Sequence, residues 1–192
     1  MATGDLTTLE NAKLWLNIDS SNANSDVLLS RLITAASKLL IVWLDRNSLL
    51  TASYSDVLDG NGHDGLHLKN WPITAVSSVT VNGIVVSLST DGRTNGYVFD
   101  DKFLYILPAT NVGHFQKGIR NVLVSYTAGY AEVPFDVEQA CIELVALRYR
   151  ERDRIGKKSE SLNGQQTVSY STRDLGDDIR KMLKNYRGVV PL

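Results

Sequence analysis

Cysteine and histidine are scarce in this 192-residue chain, and the shortage excludes two classes of protein. A single cysteine, Cys141, cannot form an internal disulfide, so a small disulfide-bonded scaffold is excluded. The three histidines are His63, His67 and His114, and with Cys141 they lack the spacing of a zinc site, which needs three or four ligands. We therefore expect no metal and no cofactor.

The chain also lacks a long apolar run and a large net charge. No stretch approaches the roughly 18 apolar residues of a membrane span, and the opening MATGDLTTLE lacks the basic and apolar regions of a signal peptide. We expect no membrane partner. The formal net charge is -1, with 20 Lys and Arg against 21 Asp and Glu. This balance argues against a protein that coats nucleic acid through bulk positive charge.

Motifs of the common enzyme classes are missing as well. The sequence has no G-x-S-x-G, H-E-x-x-H or Walker loop. The stretch Asp59–Gly65 spells G-x-G-x-x-G, but a dinucleotide site needs a helix after it, and Leu66–Leu68 alternates like a strand. A calcium loop fails because its sixth and twelfth positions are Asp64 and Asn70. We predict a hairpin turn here, and a protein that is not an enzyme.

What the chain does contain is helical periodicity near both ends. Apolar residues at helical spacing predict three core helices, over about residues 7–18, 25–45 and 136–154. Capping boxes mark two of the starts, Thr7 with Glu10 and Asp136 with Gln139. The long second helix is apolar on more than one stripe. We expect it to pack on the third helix and to offer another face to the first helix or to a neighbouring subunit.

Three side chains on these helices carry predictions of their own. Trp15 is expected to anchor the first helix in the core, and Ser25 to cap the second helix. Cys141 lies on the apolar stripe of the third helix. It is expected to be a small buried hydrophobe rather than a nucleophile, because no histidine or cation is near it in the pattern.

The segment of about residues 54–127 changes its apolar period to two, which predicts strands. Asn82-Gly83 is typical of a type I′ hairpin turn, because that turn needs positive φ at both central residues, and Asp100-Asp101 divides another pair of strands. The predicted strands are Ser55–Leu58, Gly65–Leu68, Ala75–Val81, Ile84–Leu88, Gly96–Phe99, Phe103–Ile106 and Asn121–Tyr126. The predicted fold class is therefore α+β, a core of three helices with an inserted antiparallel β-meander.

The C-terminal segment, residues 156–192, is predicted to be an arm separate from a domain of residues 1–155. Residues 156–166 are polar and aperiodic, which indicates a linker, and Thr167–Tyr170 is a candidate short strand. The helix predicted over Leu175–Tyr186 has one apolar face. A helix of this length is marginal alone in water, so this face packs either on a partner or on the protein's own core, and both alternatives stay open.

A run of arginines at the end of the third helix is the one conspicuous cluster of charge. Its members are Arg148, Arg150, Arg152 and Arg154. Cations suit the negative end of a helix dipole, so a solvated helix end explains the run. Contact with an acidic partner or with DNA phosphate is the alternative explanation. Both interpretations stay open.

Two stretches resemble a known family. The run YTAGYAEVPFDVEQACIELVALRYRERD is similar to the strand–turn–helix of bacteriophage head–tail connector proteins, the adaptors that form a ring beneath the portal. The run TTLENAKLWLNIDSSNANSDVLLSRLITAASKLLIVWLDR resembles the first two helices of that family. The resemblance covers roughly Leu6 to Arg154, and the C-terminal segment more loosely.

The resemblance implies a structural virion protein of the head–tail connector, present in the host cytoplasm during assembly. It implies a homo-oligomeric ring, usually of twelve copies, on the portal protein. Such a ring extends the channel for genomic DNA without sequence-specific binding and docks the next connector (stopper) or a tail-completion protein. Because these adaptors commonly use C-terminal segments on the portal, the resemblance assigns portal docking to Tyr170, Leu175, Ile179, Met182, Leu183 and Tyr186.

One alternative from another class stays open, a ligand- or carbohydrate-binding module that uses the β insertion. It predicts aromatic side chains exposed on the strands. The candidates for such a platform are Trp71, Tyr97, Phe99, Phe103 and Tyr105.

Overall fold

The computed structural model describes residues 4–152, 159–162, 166–169 and 175–188. Four α-helices and three antiparallel sheets confirm the α+β class. The helices are α1 (Leu9–Leu16), α2 (Asp26–Trp43), α3 (Phe135–Glu151) and α4 (Asp177–Leu183), with a 3-10 turn over Lys184–Tyr186. The strands are β1 (Ala52–Gly60), β2 (Gly65–His67), β3 (Ile73–Val81), β4 (Ile84–Val86), β5 (Tyr97–Phe99), β6 (Phe103–Ile106), β7 (Gly118–Ala128), β8 (Ser159–Leu162) and β9 (Gln166–Ser169).

The chain divides into two compact units. The helical unit contains the four α-helices and the β8–β9 hairpin, and the β unit contains Asp45–Glu132. The predicted boundary at residues 155/156 lies outside the described residues and stays a prediction.

The core of the helical unit lies between α2 and α3, which pack on each other as predicted. Leu29, Leu40 and Leu144 are fully buried there. Cys141 is also buried and lies 3.6 Å from the Ser37 hydroxyl oxygen. Burial raises the pKa of its thiol to about 11, so the thiol stays protonated and unreactive at neutral pH.

The predicted capping boxes are wrong, because their side chains have other partners. Thr8, not Thr7, caps α1, and its hydroxyl oxygen accepts from the Asn11 backbone N–H at 3.0 Å. Thr7 is buried and donates to the Glu138 carboxylate at 3.1 Å, across the unit. This long-range bond removes the Thr7 hydroxyl from local capping and moves the start of α1 along the chain.

The other predicted caps also act elsewhere. The helix α3 begins at Phe135 after Pro134, without a side-chain cap. Gln139 donates to Glu143 one turn further along α3. Ser25 precedes α2 but makes no capping bond, and its hydroxyl pairs with the Tyr149 hydroxyl at 2.8 Å. A tertiary partner has replaced the local cap at Ser25, whereas Gln139 keeps a local partner within α3.

Trp15 is not the core anchor that the sequence predicted, since 49% of it is exposed. The buried residues of α1 are Ala12 and Lys13. The Lys13 ammonium pairs with the Asp26 carboxylate at 2.5 Å and donates to the Ser20 carbonyl. The Lys13 side chain, 5% exposed, thus takes a buried position on α1, and the indole lies at the surface.

The paired strands of the β unit are all antiparallel, but the unit is not a simple meander. One sheet has the strand order β1-β7-β3-β4, and the other has the order β2-β6-β5. The last strand of the insertion, β7, therefore lies between two early strands. Its inward residues Val122, Val124 and Tyr126 are almost fully buried. In this central position, both edges of the apolar strand are paired with neighbouring strands and neither is open to association.

Two turn predictions have opposite outcomes. Asn82 and Gly83 have φ angles of 50° and 81° and join β3 to β4, which confirms the hairpin. Asp59–Gly65 does not form one, because β1 and β2 belong to different sheets and do not pair. Asp100 and Asp101 do separate the paired strands β5 and β6.

The C-terminal segment contains more regular structure than the sequence predicted. Ser159–Leu162 and Gln166–Ser169 form an antiparallel pair, although residues 156–166 were expected to be a linker. The short strand predicted over Thr167–Tyr170 corresponds to β9. The predicted last helix is shorter than expected and continues as a 3-10 turn.

Candidate functional site

The described residues contain neither a cluster of metal ligands nor a helix that could span a membrane. Within those ranges, no three His, Cys, Asp or Glu side chains converge as metal ligands would. Every helix described is too short or too polar to cross a bilayer. His63, on the connection after β1, is exposed. The candidate functional sites are therefore surfaces, and two of them expose apolar side chains.

The first surface is the outer face of α2. Its exposed residues follow one another at helical spacing: Val27, Arg31, Ala35, Lys38 and Val42. Both valines are 78% exposed. A groove of about 510 Å³ runs beside this face, lined by α2, by Asp5 and Thr7 before α1 and by Leu9 at the start of α1. The face therefore has two cations in the middle and an apolar residue at each end.

Two side chains of α1 add to the exposed apolar area of the helical unit. Leu14 is 78% exposed and Trp15 is 49% exposed. Single exposed apolar residues are ordinary, but several large ones within one small unit are typical of an interaction surface.

The second surface is the outer face of the four-stranded sheet. The strand registers align Val57, Leu123, Thr80 and Val85 in one row across β1, β7, β3 and β4. Val57 and Leu123 are 45% and 41% exposed, and Val85 is 72% exposed. The neighbouring row consists of serines, and the Ser55 and Ser125 hydroxyls lie 3.4 Å apart.

This outer sheet face carries no charge in the rows named above. A third row, Ser53, Thr127 and Ala75, is uncharged as well. Charged residues make up 21% of the chain, and on a solvated strand they keep a sheet from associating. A face of valine, leucine and small hydroxyl side chains is suited to contact with another protein. The sequence analysis missed it, although the alternation Ser53, Ser55, Val57 was a signal.

The arginine run lies at the end of α3. Arg150 is exposed and Arg148 is half-buried. Arg152 lies over the Tyr149 ring, 4.3 Å from its centroid, and donates to the Tyr149 carbonyl at 3.2 Å. Arg154 lies outside the described residues. The contact of the run with an acidic partner or DNA stays a prediction.

The predicted docking residues are not all at the surface. Leu175, Ile179 and Leu183 are buried, and α4 packs on α3. Met182 and Tyr186 are half-buried, and the Tyr186 hydroxyl donates to the Asp136 carboxylate at 3.3 Å. Tyr170 lies outside the described residues. The apolar face of α4 thus packs on the protein's own core in this conformation, and its role in docking stays a prediction.

The aromatic platform that a carbohydrate-binding module needs is small. Trp71 and Tyr97 are buried, and Phe99 is half-buried. Phe103 and Tyr105 are 38% and 36% exposed, with ring centroids 5.9 Å apart. Two adjacent rings on β6 remain of the five candidates.

Comparison with known proteins identifies a family for this chain. The sequence profile of the head completion protein family matches residues 5–189. No curated protein matches the sequence.

Solved structures share the fold across the whole chain. A chain in the neck of an empty gene transfer agent (GTA) particle, in C6 symmetry, is 16% identical, with a TM-score of 0.54. A chain of the native GTA virion is 15% identical, with a TM-score of 0.57, and one in the native neck in C12 symmetry is 16% identical, with a TM-score of 0.52. Each comparison covers 100% of this chain and 94% of the other. With its profile match over residues 5–189, the chain belongs to the head completion protein family, and so to the head–tail connector proteins of the virion that its sequence resembles.

Proposed function

We propose that this protein is a structural adaptor whose copies form a ring on the portal. The ring extends the DNA channel and docks the next connector or a tail-completion protein, and no bond is made or broken in this role. The observation that carries the proposal is the pair of exposed surfaces, the outer face of α2 and the outer sheet face.

A closed ring needs two different surfaces on each subunit, because neighbours in a ring meet head to tail. The outer face of α2 and the outer sheet face differ in their charge. The outer face of α2 places Arg31 and Lys38 between apolar ends, whereas the three aligned rows of the outer sheet face are apolar or hydroxyl-bearing and carry no charge. Burying apolar area on such faces is worth about 25 cal/mol per Å².

Twelve is the copy number we propose. It is supported by the C12 symmetry of one neck structure that contains a chain of this fold, and C6 symmetry in another is compatible with it. DNA would pass through the ring without sequence-specific binding, and the almost neutral chain has no bulk positive charge to retain it. The exposed Arg150 and its neighbours Arg148, Arg152 and Arg154 would then meet an acidic partner or the DNA phosphates.

Portal docking by the C-terminal segment is part of the same proposal. The helix α4 has seven residues and is marginal without a partner. Its apolar face packs on α3. Docking would therefore use the half-buried Met182 and Tyr186, or α4 would leave α3 and pack its apolar face on the portal instead. Both routes keep the apolar face covered.

Lysine substitutions in the outer sheet face test the ring proposal. The double variant Val57→Lys, Leu123→Lys places charge in the row of exposed apolar residues while leaving the inner face unchanged. We expect incorporation of the protein into particles, measured by quantitative mass spectrometry, to fall at least about tenfold, since a buried unpaired charge is costly. Circular dichroism should remain unchanged.

The matched control is Thr90→Lys, on an exposed loop of the same unit. It should assemble normally. Normal incorporation of the double variant would refute the role of this surface. Imaging of particles that found one or two copies at each connector would refute the ring itself.

A further inference from the structure

A buried indole between two cations marks a second site, on the loop between β2 and β3. Trp71 is 6% exposed, and among the described residues its Nε1–H has no hydrogen-bond partner. The Lys102 ammonium lies 4.3 Å from the centroid of its ring, and the Arg46 guanidinium lies 3.7 Å from it. A buried donor without an acceptor, beside positive charge, is the local chemistry of an anion site.

The surrounding backbone holds the indole and Lys102 in place. Arg46 Nη1 donates to the Trp71 carbonyl at 2.6 Å, which fixes the loop from one side. The turn between β5 and β6 is attached to the same loop, because the Lys102 and Asp101 carbonyls accept from the Leu68 and Ile73 N–H groups. The backbone segments that carry Trp71 and Lys102 are therefore held beside each other before any ligand arrives.

The charge of Lys102 is not neutralised by an ion pair within the described part of the chain. A second polar atom beside it, His67 Nδ1, is also buried without a hydrogen-bond partner there. Burial, and secondarily the Lys102 charge, lower the pKa of His67. The imidazole is therefore neutral at pH 7 and does not compete with Lys102 as a cation.

We propose that Trp71 Nε1–H and the Lys102 ammonium bind a carboxylate of a polypeptide segment from a protein partner, with Arg46 as the positioning residue. The Trp71 Nε1 atom is closed to solvent in this conformation, so the carboxylate enters as the half-buried Lys102 side chain shifts with it. This inference does not depend on ring formation, and the outer sheet face takes no part in it.

A carboxylate fits this site better than a phosphate. The donors are one neutral N–H and one flexible ammonium, which match a single negative charge. Asp100 and Asp101 lie in the same turn, and hydrogen bonds from the Lys102 and Phe103 N–H groups lower the pKa of Asp100 and keep it ionised. Residues 45–132 contain 6 Lys and Arg and 8 Asp and Glu, a balance of -2, which opposes the approach of a nucleic acid backbone.

The test follows the indole N–H signals of the full-length protein, labelled with ¹⁵N at tryptophan. Trp15→Phe and Trp43→Phe assign the remaining signal to Trp71. Sodium acetate is titrated against sodium chloride at constant ionic strength and pH 7. We expect a saturable downfield shift of the Trp71 signal with acetate alone, while the signals of Trp15 and Trp43 do not move.

Variants of Lys102 separate this site from a general salt effect. Lys102→Met keeps the apolar stem and should weaken acetate binding at least about tenfold, whereas Lys102→Arg should retain it. Lys69→Met, at an exposed lysine of the same loop, is the matched control and should bind as the parent does. Nα-acetylglutamate α-amide and N-acetylglycine then distinguish a side-chain carboxylate from a chain terminus, and binding of either supports the site.

Three results would overturn the inference. One is the absence of a saturable shift at Trp71 with every carboxylate, which would leave a buried water as the partner of Nε1. Another is an equal shift in Lys102→Met. The third is a response to inorganic phosphate without a response to acetate, which would assign the site to a different ligand.

Discussion

At the scale of single residues, the β unit depends on a buried tyrosine hydroxyl. Tyr126 donates to the Asp56 carboxylate at 2.6 Å and accepts from the Asn70 side chain at 3.0 Å. Burial, and then the bond to Asp56, raise the pKa of the phenol far above its usual value. The hydroxyl therefore stays protonated and joins β7 to β1 and to the loop before β3.

Tyr126→Phe should destabilise the protein by about 1–3 kcal/mol, because it leaves the buried Asn70 side-chain N–H group without its acceptor. Urea unfolding measures the difference. Tyr105→Phe is the matched control, since that hydroxyl bonds the exposed Asp100 at 3.1 Å, and its cost should be below about 0.5 kcal/mol. Equal costs for the two variants would contradict this account of Tyr126.

Cys141 gives a second prediction at this scale. Burial raises the pKa of its thiol from 9.0 to about 11, so the thiolate fraction at pH 8 falls about a hundredfold. Reaction with a disulfide reagent should be at least that much slower in the native protein than in urea, by absorbance of the released thiol. The raised pKa contributes stability below pH 9, and this contribution is lost as the pH rises towards 11. Equal rates in the two states would contradict the burial.

At the scale of elements, α4 behaves as part of the helical unit. Leu183 is fully buried, and α4 packs on α3. Leu183→Ala should cost about 2–5 kcal/mol of unfolding free energy, the usual range for a buried leucine. Met182→Ala, at the half-buried neighbour, should cost clearly less. Thermal or urea unfolding of both variants distinguishes these outcomes, and near-equal small effects would contradict the packing of α4.

The Met182→Ala variant also tests portal docking by α4. If the portal contacts the half-buried part of α4, Met182→Ala should weaken portal binding while the fold is retained. Unchanged binding in Met182→Ala, together with unchanged binding after removal of all residues beyond Arg154, would remove the C-terminal segment from the docking proposal.

At the scale of the whole molecule, the β unit has a complete core of its own. Fifteen buried residues from both of its sheets form one cluster, which includes Leu68, Phe115 and Tyr126. Its two ends are held together, because Thr51 N–H donates to the Tyr130 carbonyl and Tyr130 N–H donates to the Leu49 carbonyl, each at 2.9 Å. A segment that closes on itself in this way is suited to insertion into a helical protein.

We therefore expect the excised fragment of residues 45–132 to fold alone. Its ¹H–¹⁵N spectrum should be dispersed, and its unfolding in urea should be cooperative. The control is the same fragment with Val124→Asp, which puts a charge into the core and should unfold it. A parent fragment with the spectrum of a disordered chain would contradict the prediction.

The sequence by itself determined the helices and the strands of the β unit, since apolar spacing and turn residues act locally. The period of Val122, Val124 and Tyr126 defined a strand, and Asn82-Gly83 defined a hairpin through its need for positive φ. The family resemblance also came from such local patterns. The predicted caps at Thr7 and Asp136 were wrong, because tertiary packing gives these two side chains other hydrogen-bond partners.

Only the tertiary structure decided which faces are exposed and which strands are neighbours. The insertion of β7 between β1 and β3 aligned Val57, Leu123 and Thr80 in one uncharged row, and no local pattern contains that register. The burial of Leu183 and the exposure of Trp15 likewise depend on what packs against each helix. The physical reason is that periodicity identifies an apolar face, whereas burial requires a partner surface from a distant part of the chain.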